Sequence, residues 1–154
     1  MQLSDILSDE SIVPALKAGS KKQLLQELAQ VAAALTELSP REVFEVLLQR
    51  EKLGSTGLGQ GIAIPHGKFE ALDGVRGIFA RLSNPVEFDA VDGKPVDLVF
   101  LLLAPESAGA DHLKALARVS RLLREVEVVK KLRGSETSAA LYSILTEPAA
   151  SHAA

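Results

Sequence analysis

Apolar positions recur along the chain with helical, then strand-like, then helical spacing. Leu24, Leu25, Leu28, Ala32 and Leu35 share one helix face behind SKKQ at residues 20–23, a capping-box sequence. SPRE at residues 39–42 repeats the device, with Pro40 at the first helical position. Val43, Phe44, Leu47 and Leu48 continue as an apolar face. Arg50 falls near the C-terminal end, where its charge suits the helix dipole, and Gly54 can end the helix.

Beyond Gly54 the spacing shortens. Residues 62–64 are short and apolar, and residues 77–82 and 86–90 read as strands, the second with strict alternation. Asp92-Gly93, followed by Lys94-Pro95, is a hairpin turn signal that requires at least one antiparallel pair. Residues 97–103 read as a central strand buried on both faces, closed by Pro105. Helical spacing then returns. Leu113, Leu116, Ala117, Ser120 and Leu123 share a face that Asp111 can cap. A short helix around residues 127–132 stops at Gly134, and Ser135 opens a last one through Leu141, Ile144 and Leu145.

Residues 147–154, EPAASHAA, read as a flexible tail. Without a repeat or linker, residues 1–146 form one domain. Helices on both sides of a strand-rich middle predict an α/β fold: a three-layer domain with a mixed parallel/antiparallel central sheet flanked by helices.

Composition narrows the chemistry. A net charge of −3, with no basic or aromatic cluster, argues against nucleic acid as a partner. The absence of cysteine removes disulfides, thiolate catalysis and zinc–thiolate sites. The N-terminus carries Asp5, Asp9 and Glu10 and lacks a long apolar core, unlike a secretory signal. The apolar run at residues 98–104 is too short to span a bilayer. A cytoplasmic protein without membrane insertion is expected.

The unusual stretch is GLGQGIAIPHGK, residues 57–68. It is not a Walker loop, because Gly67-Lys68 is followed by Phe69 and Ile62 stands five positions before Gly67. It is not a dinucleotide fingerprint, because Ile62 takes the place of the third glycine. His66, His112 and His152 are far apart and lack metal-ligand spacing, and no Gly-x-Ser-x-Gly elbow occurs. What remains is a histidine placed by Pro65, which stops the strand and presents His66 just past its end. Gly67 allows close approach or positive φ. Glycines from Gly54 to Gly61 leave backbone N–H groups open, and Ser55 and Thr56 add hydroxyls, a collar that suits a tetrahedral anion. An imidazole there can act as a nucleophile. Spacing alone does not separate this from a histidine ending a strand in a glycine-rich turn.

At these residues the chain resembles the mannitol/fructose-type enzyme IIA domains of the bacterial phosphoenolpyruvate-dependent phosphotransferase system. That family's signature is an acidic or amide residue, six residues, an aliphatic residue, Gly or Ala, two residues, then aliphatic-Ala-aliphatic-Pro-His-Gly. Here it is Glu51, KLGSTG, Leu58, Gly59, Gln60-Gly61, then Ile62-Ala63-Ile64-Pro65-His66-Gly67. The likeness extends through REKLGSTGLG and FDAVDGKPVDLVFLLLAP and is greatest to the free-standing nitrogen-related subgroup.

The resemblance implies that His66 accepts a phosphoryl group from an HPr-like phosphocarrier, in this branch NPr. Arg50 and His112 match the family's active-site arginine and second histidine. Ser55, Thr56 and Gly67 would line the phosphate, and Lys68 would contribute field. No metal or cofactor is required, and an apolar rim is expected around the site. The resemblance implies a phosphoryl-transfer component that regulates partners, among them potassium transport or sensor-kinase proteins. Two alternatives stay open: a sugar-transport enzyme IIA that passes phosphate to a IIB component, and a binding module that regulates without phosphorylation. His152 receives no role.

Overall fold

The computed structural model describes residues 1–147. Helix α1, Lys21–Leu35, starts behind Ser20, whose Oγ accepts from the Gln23 N–H at 3.1 Å. The box closes one residue early, since Gln23 Oε1 accepts from the Gly19 N–H rather than from Ser20. Helix α2, Pro40–Lys52, starts behind Ser39, whose Oγ accepts from the Glu42 N–H at 3.1 Å.

Six strands form one mixed sheet: β1 (Ile12–Leu16), β2 (Gly57–Gly59), β3 (Ile62–Ala63), β4 (His66–Phe69), β5 (Arg76–Val86) and β6 (Val96–Pro105). Their order is β1-β5-β6-β3-β2, with β4 also on β6. β6 runs antiparallel to β5 and parallel to β3 and β4. Its alternate residues are buried on opposite faces: Val99, Leu101 and Leu103 in one core, Leu98, Phe100 and Leu102 in the other. Helices α1 and α2 cover the first core. The second is covered by α3 (Ala110–Leu122), α4 (Val126–Arg133), α5 (Ser138–Thr146) and the N-terminal residues Leu3, Ile6 and Leu7. This is the expected three-layer α/β arrangement, with the helical layers separated by chain order.

β1, for which no element was expected, is an edge strand, a position that tolerates Pro14. Several local expectations are corrected. Residues 86–90 do not form a second strand, because β5 runs to Val86 and leaves the ladder there. Their alternation is real in burial, with Phe88 fully buried between exposed neighbours, but Asp89 at φ 54° breaks the extended run. The Asp92-Gly93 turn closes with the Gly93 N–H on Ala90 O, inside a longer connection to β6.

The buried face of α3 is His112, Ala115, Val119 and Leu122, not the stripe through Leu113 and Ala117. Leu113 is 66% exposed. Asp111 lies within the first turn and Gly109 occupies the cap position. A polar residue, His112, takes the inward place that hydrophobicity gives to Leu113. Ser135 closes α4 by donating to Lys131 O, and Thr137 caps α5 by accepting from the Ala140 N–H. The expected tail, except Glu147, lies outside the described residues, and so does His152. Among the described residues no helix is long and apolar enough to cross a membrane.

Candidate active site

His66 is the first residue of β4 rather than a residue just past a strand's end. β3 and β4 follow β6 in the same direction, interrupted only by Ile64 and Pro65. Pro65 has no N–H to donate, yet its carbonyl accepts from the Leu102 N–H at 3.0 Å, so the chain stays on β6 through the break. His66 is thus anchored on both sides by the central strand.

The next residue brings a helix to the histidine. A Cβ on Gly67 would lie 2.7 Å from Val46 Cγ1, so α2 can pack this closely on β4 only over glycine. Close approach, and not positive φ, is what Gly67 supplies. Arg50 lies one turn beyond Val46 on α2, and its Nε–H points at His66 Nε2 at 3.4 Å. Its Nη1 donates to Gly54 O at 2.8 Å, which fixes the plane of the guanidinium. The opposite ring nitrogen of His66, Nδ1, donates to Ile64 O at 2.9 Å. A carbonyl can only accept, so the proton is on Nδ1 and the Nε2 lone pair faces Arg50.

His112 enters from the other helical layer at the start of α3. Its ring centroid is 5.6 Å from that of His66, with the planes tilted by 48°. The side chain is buried, and Nδ1 has no hydrogen-bond partner among the described residues. Burial holds its pKa below the ordinary histidine value, and charge at His66 and at Lys68 adds to the effect. His112 is therefore neutral, beside helix N-terminal amides that favour an anion.

A pH dependence follows. The unfolded chain binds a proton at His112 at higher pH than the folded chain does. Stability therefore rises with pH across that interval, and it is lost as pH falls below about 6.5. Urea unfolding of wild type and His112→Gln at pH 7.5 and pH 5 is expected to show a smaller acid loss for the variant. Equal losses would exclude the assignment.

The remaining expected residues are near but differently occupied. Ser55 Oγ donates to Phe88 O at 2.7 Å and accepts from the Gly57 N–H. The Thr56 hydroxyl donates to Glu51 Oε2. Each hydroxyl's single proton is engaged by an acceptor outside the loop, Phe88 O or Glu51 on α2, so Ser55 and Thr56 tie the loop down here. Two groups carry no strong sequence signal. Glu51, marked only as a motif position, is buried and ion-paired with Lys21. Arg133 pairs with Asp97 through two nitrogens and donates to Gln60 O, tying α4 to the turn between β2 and β3. Gly61 in that turn has φ 81°, and any side chain there would strike Arg133. Nothing in local spacing reveals a pair 36 residues apart. Leu53, the C-cap of α2 three residues after Arg50, and Leu113, next to His112, are both largely exposed.

The model of the phosphoenolpyruvate-dependent sugar phosphotransferase system, EIIA 2 family matches residues 5–147. The nitrogen regulatory protein of Bradyrhizobium diazoefficiens is 60% identical over 153 residues, covering 99% of this chain and all of that protein. The nitrogen regulatory protein of Escherichia coli is 42% identical over 149 residues, covering 96% of this chain and 91% of that protein. The crystal structure of nitrogen regulatory protein IIA-Ntr from Neisseria meningitidis superposes with a TM-score of 0.89 at 42% identity, covering 94% of this chain and 99% of that one.

Proposed function

The chain belongs to the EIIA 2 family of the phosphoenolpyruvate-dependent sugar phosphotransferase system, and from that premise we propose that it accepts a phosphoryl group on His66 Nε2 from an HPr-like phosphocarrier. The phosphorylated and unphosphorylated forms then regulate partner proteins differently. The observation that carries this reading is the tautomer of His66. With Nδ1 donating to Ile64 O, the free lone pair is on Nε2, directed to the side where Arg50 stands.

The step is an in-line displacement. The Nε2 lone pair forms the new N–P bond as the bond from phosphorus to the carrier's ring nitrogen breaks, and that electron pair returns to the carrier's imidazole. The ring attacks with its own Nε2 lone pair while the proton stays on Nδ1, donated to Ile64 O, so no general base is needed. Arg50 shifts its donors from Nε2 to the phosphoryl oxygens as they arrive. Neutral His112 donates a hydrogen bond from Nε2, and the α3 amides add positive field. Ser55 and Thr56 hold the loop, Gly67 lets α2 approach, and Lys68 adds long-range charge. Leu53 and Leu113 offer an apolar rim for the carrier.

NPr, the HPr-like carrier of the nitrogen branch, is the proposed donor. The 60% identity with a nitrogen regulatory protein supports regulation over sugar uptake. The test is labelling with phosphoenolpyruvate, its kinase and the carrier, followed by mapping. Acid-labile label on His66 Nε2 is expected; absence of label, or label elsewhere, would overturn the proposal.

Arg50 gives a graded prediction. Arg50→Met is expected to lower the single-turnover transfer rate by about 10²–10³-fold, the cost of losing one donor at a developing charge. Arg50→Lys should recover only part, because an ammonium lacks the planar fork. A rate within threefold of wild type for Arg50→Met would remove the arginine from the mechanism.

A further inference from the structure

The Glu51 carboxylate is 3% exposed and is held by three donors. Oε1 accepts the Thr56 N–H at 3.0 Å and pairs with Lys21 Nζ at 3.0 Å, while Oε2 accepts the Thr56 hydroxyl. From Thr56 a line of hydrogen bonds leads to the reacting ring. Thr56 O accepts the Ile64 N–H at 3.1 Å, and Ile64 O accepts the His66 Nδ1–H at 2.9 Å. A second route passes through the same loop. Gly54 O, two residues before Thr56, accepts from Arg50 Nη1, whose Nε faces His66 Nε2. Lys21 anchors the arrangement from α1, with its ammonium 4.4 Å over the Phe88 ring, and Phe88 O in turn accepts from Ser55.

Both nitrogens of His66 are therefore held by groups whose places depend on one buried carboxylate. We propose that Glu51, ion-paired with Lys21, is a positioning residue that fixes His66 in its Nδ1–H tautomer and keeps Arg50 at Nε2. Glu51 touches no reacting atom and acts through Thr56, Ile64 and Gly54. Its effect on transfer rate rests on His66 being the phosphoryl acceptor, whereas its effect on the tautomer does not.

The test uses the full chain with ¹⁵N-labelled histidine. In the wild type, NMR is expected to report His66 as a single Nδ1–H tautomer. In Glu51→Ala both tautomers should appear. The maximal transfer rate should fall about 10–100-fold, as for a misplaced reacting group, with the half-saturating carrier concentration changed less than threefold. Glu51→Gln should restore the single tautomer, because its amide oxygen still accepts from Thr56 N–H and its NH₂ can donate to the Thr56 oxygen. If Glu51→Ala does not fold, Glu51→Asp, which withdraws the carboxylate by one methylene, takes its place with the same expected spectrum. A single Nδ1–H tautomer in the folded alanine or aspartate variant overturns the proposal, whatever its melting temperature. If wild type takes up no phosphate, the functional reading fails and the tautomer measurement still decides the role of Glu51.

Discussion

His66→Ala is expected to abolish carrier-dependent phosphorylation while the protein remains folded. The ring is half-buried at the start of β4, and its removal leaves the backbone anchors on β6 in place. Ile64 O loses one donor, while Arg50 loses His66 Nε2 but retains Gly54 O. The stability change is therefore small, on the order of 1 kcal/mol.

The rate change is large because no other group can take over the attack. His112 is buried, and in the proposed role its Nε2 carries the proton it donates to the phosphoryl group, so that nitrogen has no lone pair for attack. Deleting a nucleophile removes the covalent route entirely, and losses beyond ~10⁴-fold are the expected order. Stopped-flow or quenched transfer from labelled carrier measures this, with circular dichroism as the check on folding. Label retained at more than a few per cent of wild type in a folded His66→Ala protein would require a different acceptor.

The largest stability effect is expected at Phe100. Its side chain is fully buried in the middle of β6, and its ring lies 6.3 Å from that of Phe79 at a tilt of 60°. The ring packs over Gly77, where an added Cβ would lie 2.9 Å away. The neighbours are strands and helices of a closed second core, so the vacated space cannot collapse freely. Phe100→Ala should cost about 3–5 kcal/mol. For a chain of this length that lowers Tm by roughly 6–20 °C. Leu113→Ala is the control: it removes an apolar side chain that is mostly solvent-exposed and should change stability by about 0.5 kcal/mol or less. A Phe100→Ala cost below about 1 kcal/mol, measured by urea unfolding, would mean that the second core repacks around the gap.

The elements legible in the chain are those whose signals are local. Ser20 and Ser39 mark the starts of α1 and α2 because a cap needs only a side-chain oxygen three residues from an N–H. β6 is legible because a strand buried on both faces must be apolar at consecutive positions. The phase of α3 was not legible. Hydrophobicity turns Leu113 inward, but the fold turns His112 inward to meet His66, and the leucine is left at the surface. The alternation at residues 86–90 misled for a related reason: alternating burial requires a surface to lie on, not a strand partner.

The sequence by itself determined the candidate acceptor and its immediate setting. Pro65, His66 and Gly67 act through the backbone of three consecutive residues, and the motif around them is contiguous. Tertiary structure decided which other groups reach the imidazole. Arg50 comes across on α2 because Gly67 has no side chain, and His112 comes from the opposite helical layer. The serine and threonine of the loop are held by Phe88 O and Glu51. A hydroxyl has one proton to donate, and its destination is set by acceptors brought near by folding, which sequence spacing does not reveal.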